Sequence, residues 1–133
     1  MRYLLDTNVC IRYITGRSEK VKQHIYNTPC QEISVCSVVK SELYYGAMKS
    51  QKPEFNLHQQ NLFLNQFNSF DFDDKAAKIF GEIRCQLEKQ GMPIGAYDTQ
   101  IAAIALANKL ILVTHNTREF SRIPQLTIED WEV

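Results

Sequence analysis

Apolar and polar positions follow two rhythms along this chain. Tyr3-Leu4-Leu5 is a short apolar run that ends in Asp6-Thr7-Asn8, which reads as a buried strand running into a loop. A short helix is expected near Cys10–Ile14, stopping around Gly16, and a second one capped by Ser18 and running to about Tyr26 before Pro29. Ile33 and Val35 mark a second strand. Ser37 is placed to cap a helix reaching about Met48. Pro53 opens a further helix to about Phe67, with Phe55, Leu62, Phe63 and Phe67 as its expected inner face. Phe70 and Phe72 alternate with Asp71 and Asp73, the period of two that marks a strand end. Asp73 or Asp74 then caps the most regular helix, where Ala76, Ile79, Phe80, Ile83 and Leu87 recur at helical spacing and Gly91 stops the run. A loop over Gly91–Gly95 leads to a helix from about Tyr97 to Asn108. Leu110–Val113 and Leu126–Ile128 complete the strands. Strands that alternate with helices predict an α/β sandwich around a central, mostly parallel sheet of about five strands. No repeat or linker interrupts the pattern, so one domain is expected over residues 1–133.

Composition narrows the function. A chain of 133 residues with 44% hydrophobic content supports a real core. No apolar run reaches the roughly 20 residues that cross a bilayer, and Asp6 falls too early for a signal peptide, so a cytoplasmic protein without membrane association is expected. Cys10, Cys30, Cys36 and Cys85 form no CxxC pair and read as buried free thiols. Lys plus Arg equals Asp plus Glu at 15 each, with a formal net charge of +0. A general nucleic-acid binder carries excess positive charge. Any polyanion bound here needs a local basic patch, or metal ions that supply the missing charge.

Three acids stand where water is not expected. Asp6 follows an apolar strand directly, and ligands of open parallel sheets gather beyond the carboxyl ends of strands. Glu42 follows Val38 and Val39 at helical spacing and precedes Tyr45, so it sits on or beside an apolar stripe. Asp98 heads the run IAAIALA and shares a face with Ile101, Ala102 and Ala105. Taken singly, Asp6 and Asp98 also read as helix caps, and Glu42 as an edge position. All three can meet at one edge of the sheet. Carboxylates that converge repel unless a cation joins them, and oxygen donors without His or Cys favour Mg²⁺ or Mn²⁺ over zinc. Such ions activate water and stabilise charge on a phosphodiester.

LLDTN at 4–8, SVVKSELYYGA at 37–47, IGAYDTQIAAIAL at 94–106, LVTHNTREFSRI at 112–123 and LTIEDW at 126–131 together resemble the VapC-type PIN domains, in order and spacing, over almost the whole chain. The resemblance implies a Mg²⁺- or Mn²⁺-dependent endoribonuclease in which Asp6, Glu42 and Asp98 hold metal and position the attacking water. At the family's fourth acidic position this chain has Asn116, which offers a carbonyl oxygen to a metal but no charge. Glu119 stands near it and is left outside the core set. Thr7, Asn8, Ser37 and Thr114 are candidates to orient the carboxylates by hydrogen bonds. Arg12, Arg118 and Arg122, with Arg17, Lys40 and Lys49, are candidates for phosphate contact. His115 reads as incidental, and His24 and His58 suggest nothing. The resemblance also implies a VapB-like antitoxin that covers the cleft, with a groove near Tyr44, Tyr45 and Met48 to receive it. It further implies a homodimer, a larger complex with antitoxin, and RNA, tRNA in particular, as substrate. A catalytically inactive PIN-type binding module is the alternative, motivated by Asn116. A phosphatase or receiver domain also places Asp after strand one, but no DxD follows here.

Overall fold

The computed structural model describes residues 1–133. Five parallel strands form one sheet: β1 (Tyr3–Leu5), β2 (Ile33–Cys36), β3 (Asn68–Phe70), β4 (Ile111–Val113) and β5 (Ile128–Glu129), in the order β3-β2-β1-β4-β5. The expected α/β sandwich is therefore present, with every pairing parallel. The helices are α1 (Thr7–Thr15), α2 (Glu19–Asn27), α3 (Ser37–Lys49), α4 (Pro53–Leu64), α5 (Asp74–Lys89), α6 (Ala96–Ala107) and α7 (Thr117–Phe120). The chain starts in the middle of the sheet, builds outward through β2 and β3, and then returns to the other side of β1 with β4 and β5. The direction of build reverses between β1 and β4, and open α/β sheets bind ligands at the carboxyl ends of strands flanking such a reversal. Asp6 follows β1 there and Thr114 follows β4. The Asp6 amide donates to the Val113 carbonyl at 3.0 Å, which carries the pairing one residue past β1.

Burial explains the element types. Leu4, Leu5, Val35, Leu112 and Val113 are fully enclosed, as a sheet covered by helices requires. Ile101 through Ala105 of α6 are buried without a break, the signature of a helix inside the fold rather than on it. Its small residues admit close packing against α5, while α3 packs against both α1 and α4. α5 is capped by Asp73, whose side chain accepts from the Ala76 amide at 2.9 Å. Asp73→Ala is expected to cost about 1 kcal/mol of stability, measurable as a lower urea midpoint at unchanged slope.

Several expectations change. α1 begins at Thr7, not near Cys10, because Asp6 caps it. α3 is capped by Cys36 in extended geometry, not by Ser37, since β2 runs into the helix without a loop and Ser37 is already its first residue. On α4, Phe63 is buried, as is Phe67 beyond its end, but Phe55 and Leu62 are more than half exposed. β3 ends at Phe70, and Phe72 instead packs edge-on against Phe80 at 5.8 Å. Cys10 and Cys36 are buried free thiols, whereas Cys30 and Cys85 are exposed. No helix is long and apolar enough to cross a membrane.

The last residues are tied down by contacts the sequence does not advertise. Trp131 is 2% exposed, with His24 stacked on it at 5.0 Å and Tyr3 edge-on at 5.1 Å. Its indole N–H donates to Glu129 Oε1 at 3.0 Å. Glu132 meets Arg12 at 3.4 Å, and Asp130 meets His115 Nδ1 at 2.9 Å.

Candidate active site

Asp6 is 5% exposed and sits where β1 turns into α1. Its Oδ1 accepts from the Thr7 amide at 2.8 Å, and its Oδ2 accepts from the Thr114 hydroxyl at 2.8 Å. The Asx-type cap and a site role thus coexist, because only one oxygen faces the helix end. Burial pushes the Asp6 carboxyl above its ordinary range, and the Glu42 charge adds to this; the bonds from Thr114 and Thr7 oppose it. Asp6 is therefore a carboxylate that the fold desolvates and then partly compensates.

Glu42 lies in the second turn of α3, half-buried. Its Oε1 accepts from the Thr7 hydroxyl at 2.9 Å. Thr7 thereby joins the two acids, its amide on Asp6 and its hydroxyl on Glu42. Asp98 occupies the first turn of α6, after the Gly95 cap position, so it is not itself the cap. Its carboxyl is pushed up to about 6, first by burial and then by the charges of Asp6, Glu42 and Glu119. Helix N-termini favour anions, yet burial and the neighbouring charges outweigh that help. Asp98 thus lies close enough to Asp6, Glu42 and Glu119 to feel each charge, and Asp6 feels that of Glu42, at the end of the sheet where its direction of build reverses.

The loop after β4 closes the site. The Thr114 hydroxyl, fully buried, accepts from the Asn116 amide at 3.0 Å while donating to Asp6. Asn116 sits at the cap position of α7 without a side-chain capping bond. Glu119, three residues on, joins the acid cluster by its effect on Asp98. The sequence held a signal for it, an acid one turn past Asn116, but a four-residue helix shows no periodicity to place it.

Other expected residues divide. Thr7 and Thr114 bond the acids directly. Asn8 is exposed on the wall of a cleft of about 600 Å³ shared with Glu42. The Ser37 side chain makes no bond to the cluster. Arg12 is held by Glu132, and Arg122 donates to the Pro93 carbonyl at 2.9 Å, which fixes the loop before α6. Arg118 is exposed. His115, exposed, pairs with Asp130 and not with an acid of the cluster.

The cluster offers oxygen donors. Cys10 and Cys36 lie near enough to feel the Asp6 charge, but burial pushes Cys36 up to about 11 and raises Cys10 well above the ordinary thiol range, so both stay protonated. No three of the His, Cys, Asp and Glu side chains surround a common point closely enough to enclose an ion by themselves. The donors present are carboxylate oxygens rather than thiolates or imidazoles, which suits a hard cation over zinc.

Comparison with known proteins identifies the family. Residues 3–126 match the PIN domain family. A Salmonella typhimurium protein named tRNA(fMet)-specific endonuclease VapC is 40% identical over 131 residues, covering 98% of each chain. The DNA-bound VapBC of Salmonella typhimurium superposes with a TM-score of 0.92 at 40% identity over 98% of each chain. VapBC2 of Rickettsia felis, bound to a promoter DNA fragment, superposes with a TM-score of 0.89 at 37% identity, over 98% of this chain and 99% of the other. The chain belongs to the PIN domain family, among its VapC ribonucleases.

Proposed function

We infer that this protein is a divalent-metal-dependent endoribonuclease, the toxin of a toxin–antitoxin pair, acting in the cytoplasm on RNA of the tRNA class. The observation that carries this reading is the meeting of Asp6, Glu42 and Glu119 around Asp98, whose carboxyl is pushed up to about 6 first by burial and then by those three charges. Mg²⁺ or Mn²⁺, when bound, would supply positive charge against the phosphodiester and acidify water. Asp6 and Asp98 would hold the ion, with Glu42 and the carbonyl of Asn116 as further oxygen donors. Thr7 keeps Asp6 and Glu42 in register, and Thr114 aims the inner oxygen of Asp6. Glu119 adds the charge that Asn116 lacks. A net charge of +0 suits such a site, since the ion rather than a basic surface draws the phosphate.

A VapB-like antitoxin is the proposed partner. Met48 on α3 and Phe55 and Leu62 on α4 are exposed apolar side chains of the kind such a partner covers.

Incubation of the purified protein with tRNA and Mg²⁺ or Mn²⁺ is expected to give discrete cleavage products that EDTA abolishes. Expression without antitoxin is expected to arrest growth, and co-expression to relieve the arrest. RNA binding without EDTA-sensitive cleavage in either metal would instead make this an inactive binding module.

A further inference from the structure

Two exposed tyrosines border the acids, and the chemistry above uses neither. Tyr45, three residues after Glu42 on α3, is 65% exposed. Tyr97, the residue before Asp98 on α6, is 61% exposed. Both line the 600 Å³ cleft whose walls include Thr7, Asn8, Ser41 and Glu42. The fold buries Phe63, Phe67, Phe120 and Trp131, and its other exposed rings, Tyr26 and Phe55, do not line this cleft. Leaving two rings in water at one cleft forfeits the stabilisation that burial gives. Lys49 Nζ lies 5.2 Å from the centroid of the Tyr45 ring, so a positive charge stands at the same rim.

A phosphate drawn to the acids brings its flanking bases within one nucleotide of this cleft. Aromatic faces stack nucleobases, with little preference among them. A base inside a duplex is already stacked on its neighbours and presents no free face, whereas loops and single strands do. The protein carries no net charge, so phosphate attraction alone gives weak affinity, and stacking supplies a contribution that salt does not screen.

We propose that Tyr45 and Tyr97 form a stacking site for unpaired nucleobases beside the scissile phosphate. The proposal rests on the nuclease reading above and assigns it two substrate-positioning residues.

The test uses three RNAs of matched length: a hairpin with an unpaired loop, the same hairpin with abasic loop positions, and a full duplex. KM and kcat are measured for the wild type, Tyr45→Ala, Tyr97→Ala and the two Phe variants. Binding is read by fluorescence anisotropy in an Asp98→Asn background that leaves RNA uncut. Each Ala variant is expected to raise KM and Kd for the intact loop on the order of ten-fold, with kcat within about two-fold of wild type. The Phe variants keep wild-type values. The abasic hairpin and the duplex bind weakly to all variants alike. Unchanged KM in both Ala variants overturns the proposal, as does an equal loss on intact and abasic loops. Loss of antitoxin neutralisation with cleavage intact also overturns it and makes the tyrosines a protein-docking surface. If the wild type cuts no RNA in either metal, the nuclease reading fails, and the anisotropy comparison of intact with abasic loops still decides the stacking site.

Discussion

Asp98→Asn is expected to lower RNA cleavage on the order of a thousand-fold and, without divalent ions at neutral pH, to raise the melting temperature. Both effects come from one charge. The Asp98 carboxyl titrates at about 6 in the fold because burial, Asp6, Glu42 and Glu119 all oppose its ionisation, against an ordinary value of 3.8. Between those two values the folded state keeps a proton that the unfolded chain has released. Stability from this group is therefore present near pH 4, declines as pH rises towards 6, and stays lost above it. Discounted for the partial exposure of the side chain, the penalty at neutral pH is about 1 kcal/mol, or about 3 °C in Tm for a domain of this size. Asparagine removes the charge at nearly constant shape, so the two proteins should melt alike at pH 4 and separate by pH 7.5. Adding Mg²⁺ should close the gap from the wild-type side, since only the wild type retains the full set of acids for the ion. Calorimetry at the two pH values, with and without Mg²⁺, checks this. A variant that melts lower than wild type at pH 7.5 without metal would refute the account of crowded acids.

Thr114→Val is the second large change. The substitution is close to isosteric, and Thr114 is fully buried, so packing is preserved. What disappears is a hydroxyl that donates to Asp6 Oδ2 and accepts from the Asn116 amide. Asp6 keeps the Thr7 amide on Oδ1 but loses its partner on the inner oxygen, while the Asn116 N–H loses its acceptor. A buried group left without its bond costs about 2 kcal/mol, and loss of an orienting bond to a metal-holding carboxylate costs roughly 10- to 100-fold in activity. The bond from Thr114 lowers the Asp6 pKa, so its removal moves that pKa further up. Catalysis needs the ionised form, and the acid limb of the pH–rate profile should shift to higher pH. Thr114→Ser keeps the hydroxyl and is expected to restore most of the rate. Equal damage from Ser and Val would assign the effect to packing rather than to the bond.

The acids were readable in the sequence because each breaks a local pattern. Asp6 ends an apolar strand, Glu42 interrupts an apolar stripe, and Asp98 heads a run of small residues that has no other polar reason to be there. The strand–helix alternation was readable for the same reason, since covered strands are apolar throughout and α5 repeats at helical spacing. What stayed hidden depends on pairings distant in the chain. Nothing local tells whether Arg12 serves a phosphate or Glu132, 120 residues away, or whether Arg122 faces RNA or the Pro93 carbonyl. Ser37 has the propensity of a cap, but a strand that enters its helix without a loop hands the cap position to Cys36. Phe55 and Leu62 are apolar, yet α4 meets its neighbours along one edge only, and that edge is the one bearing Phe63 and Leu64. Glu119 belongs to a single turn, too short for a period to appear.

The chain has one tryptophan, and the fold has put it under a histidine at the hem of the sheet. Trp131 does not line the cleft that holds Tyr45 and Tyr97. Its intrinsic emission therefore follows detachment of the C-terminal residues, with a red shift as water reaches the indole, and is silent to oligonucleotide contact with the tyrosine rings. The molecule carries its own label-free gauge of integrity, which reads damage to the scaffold separately from damage to the chemistry.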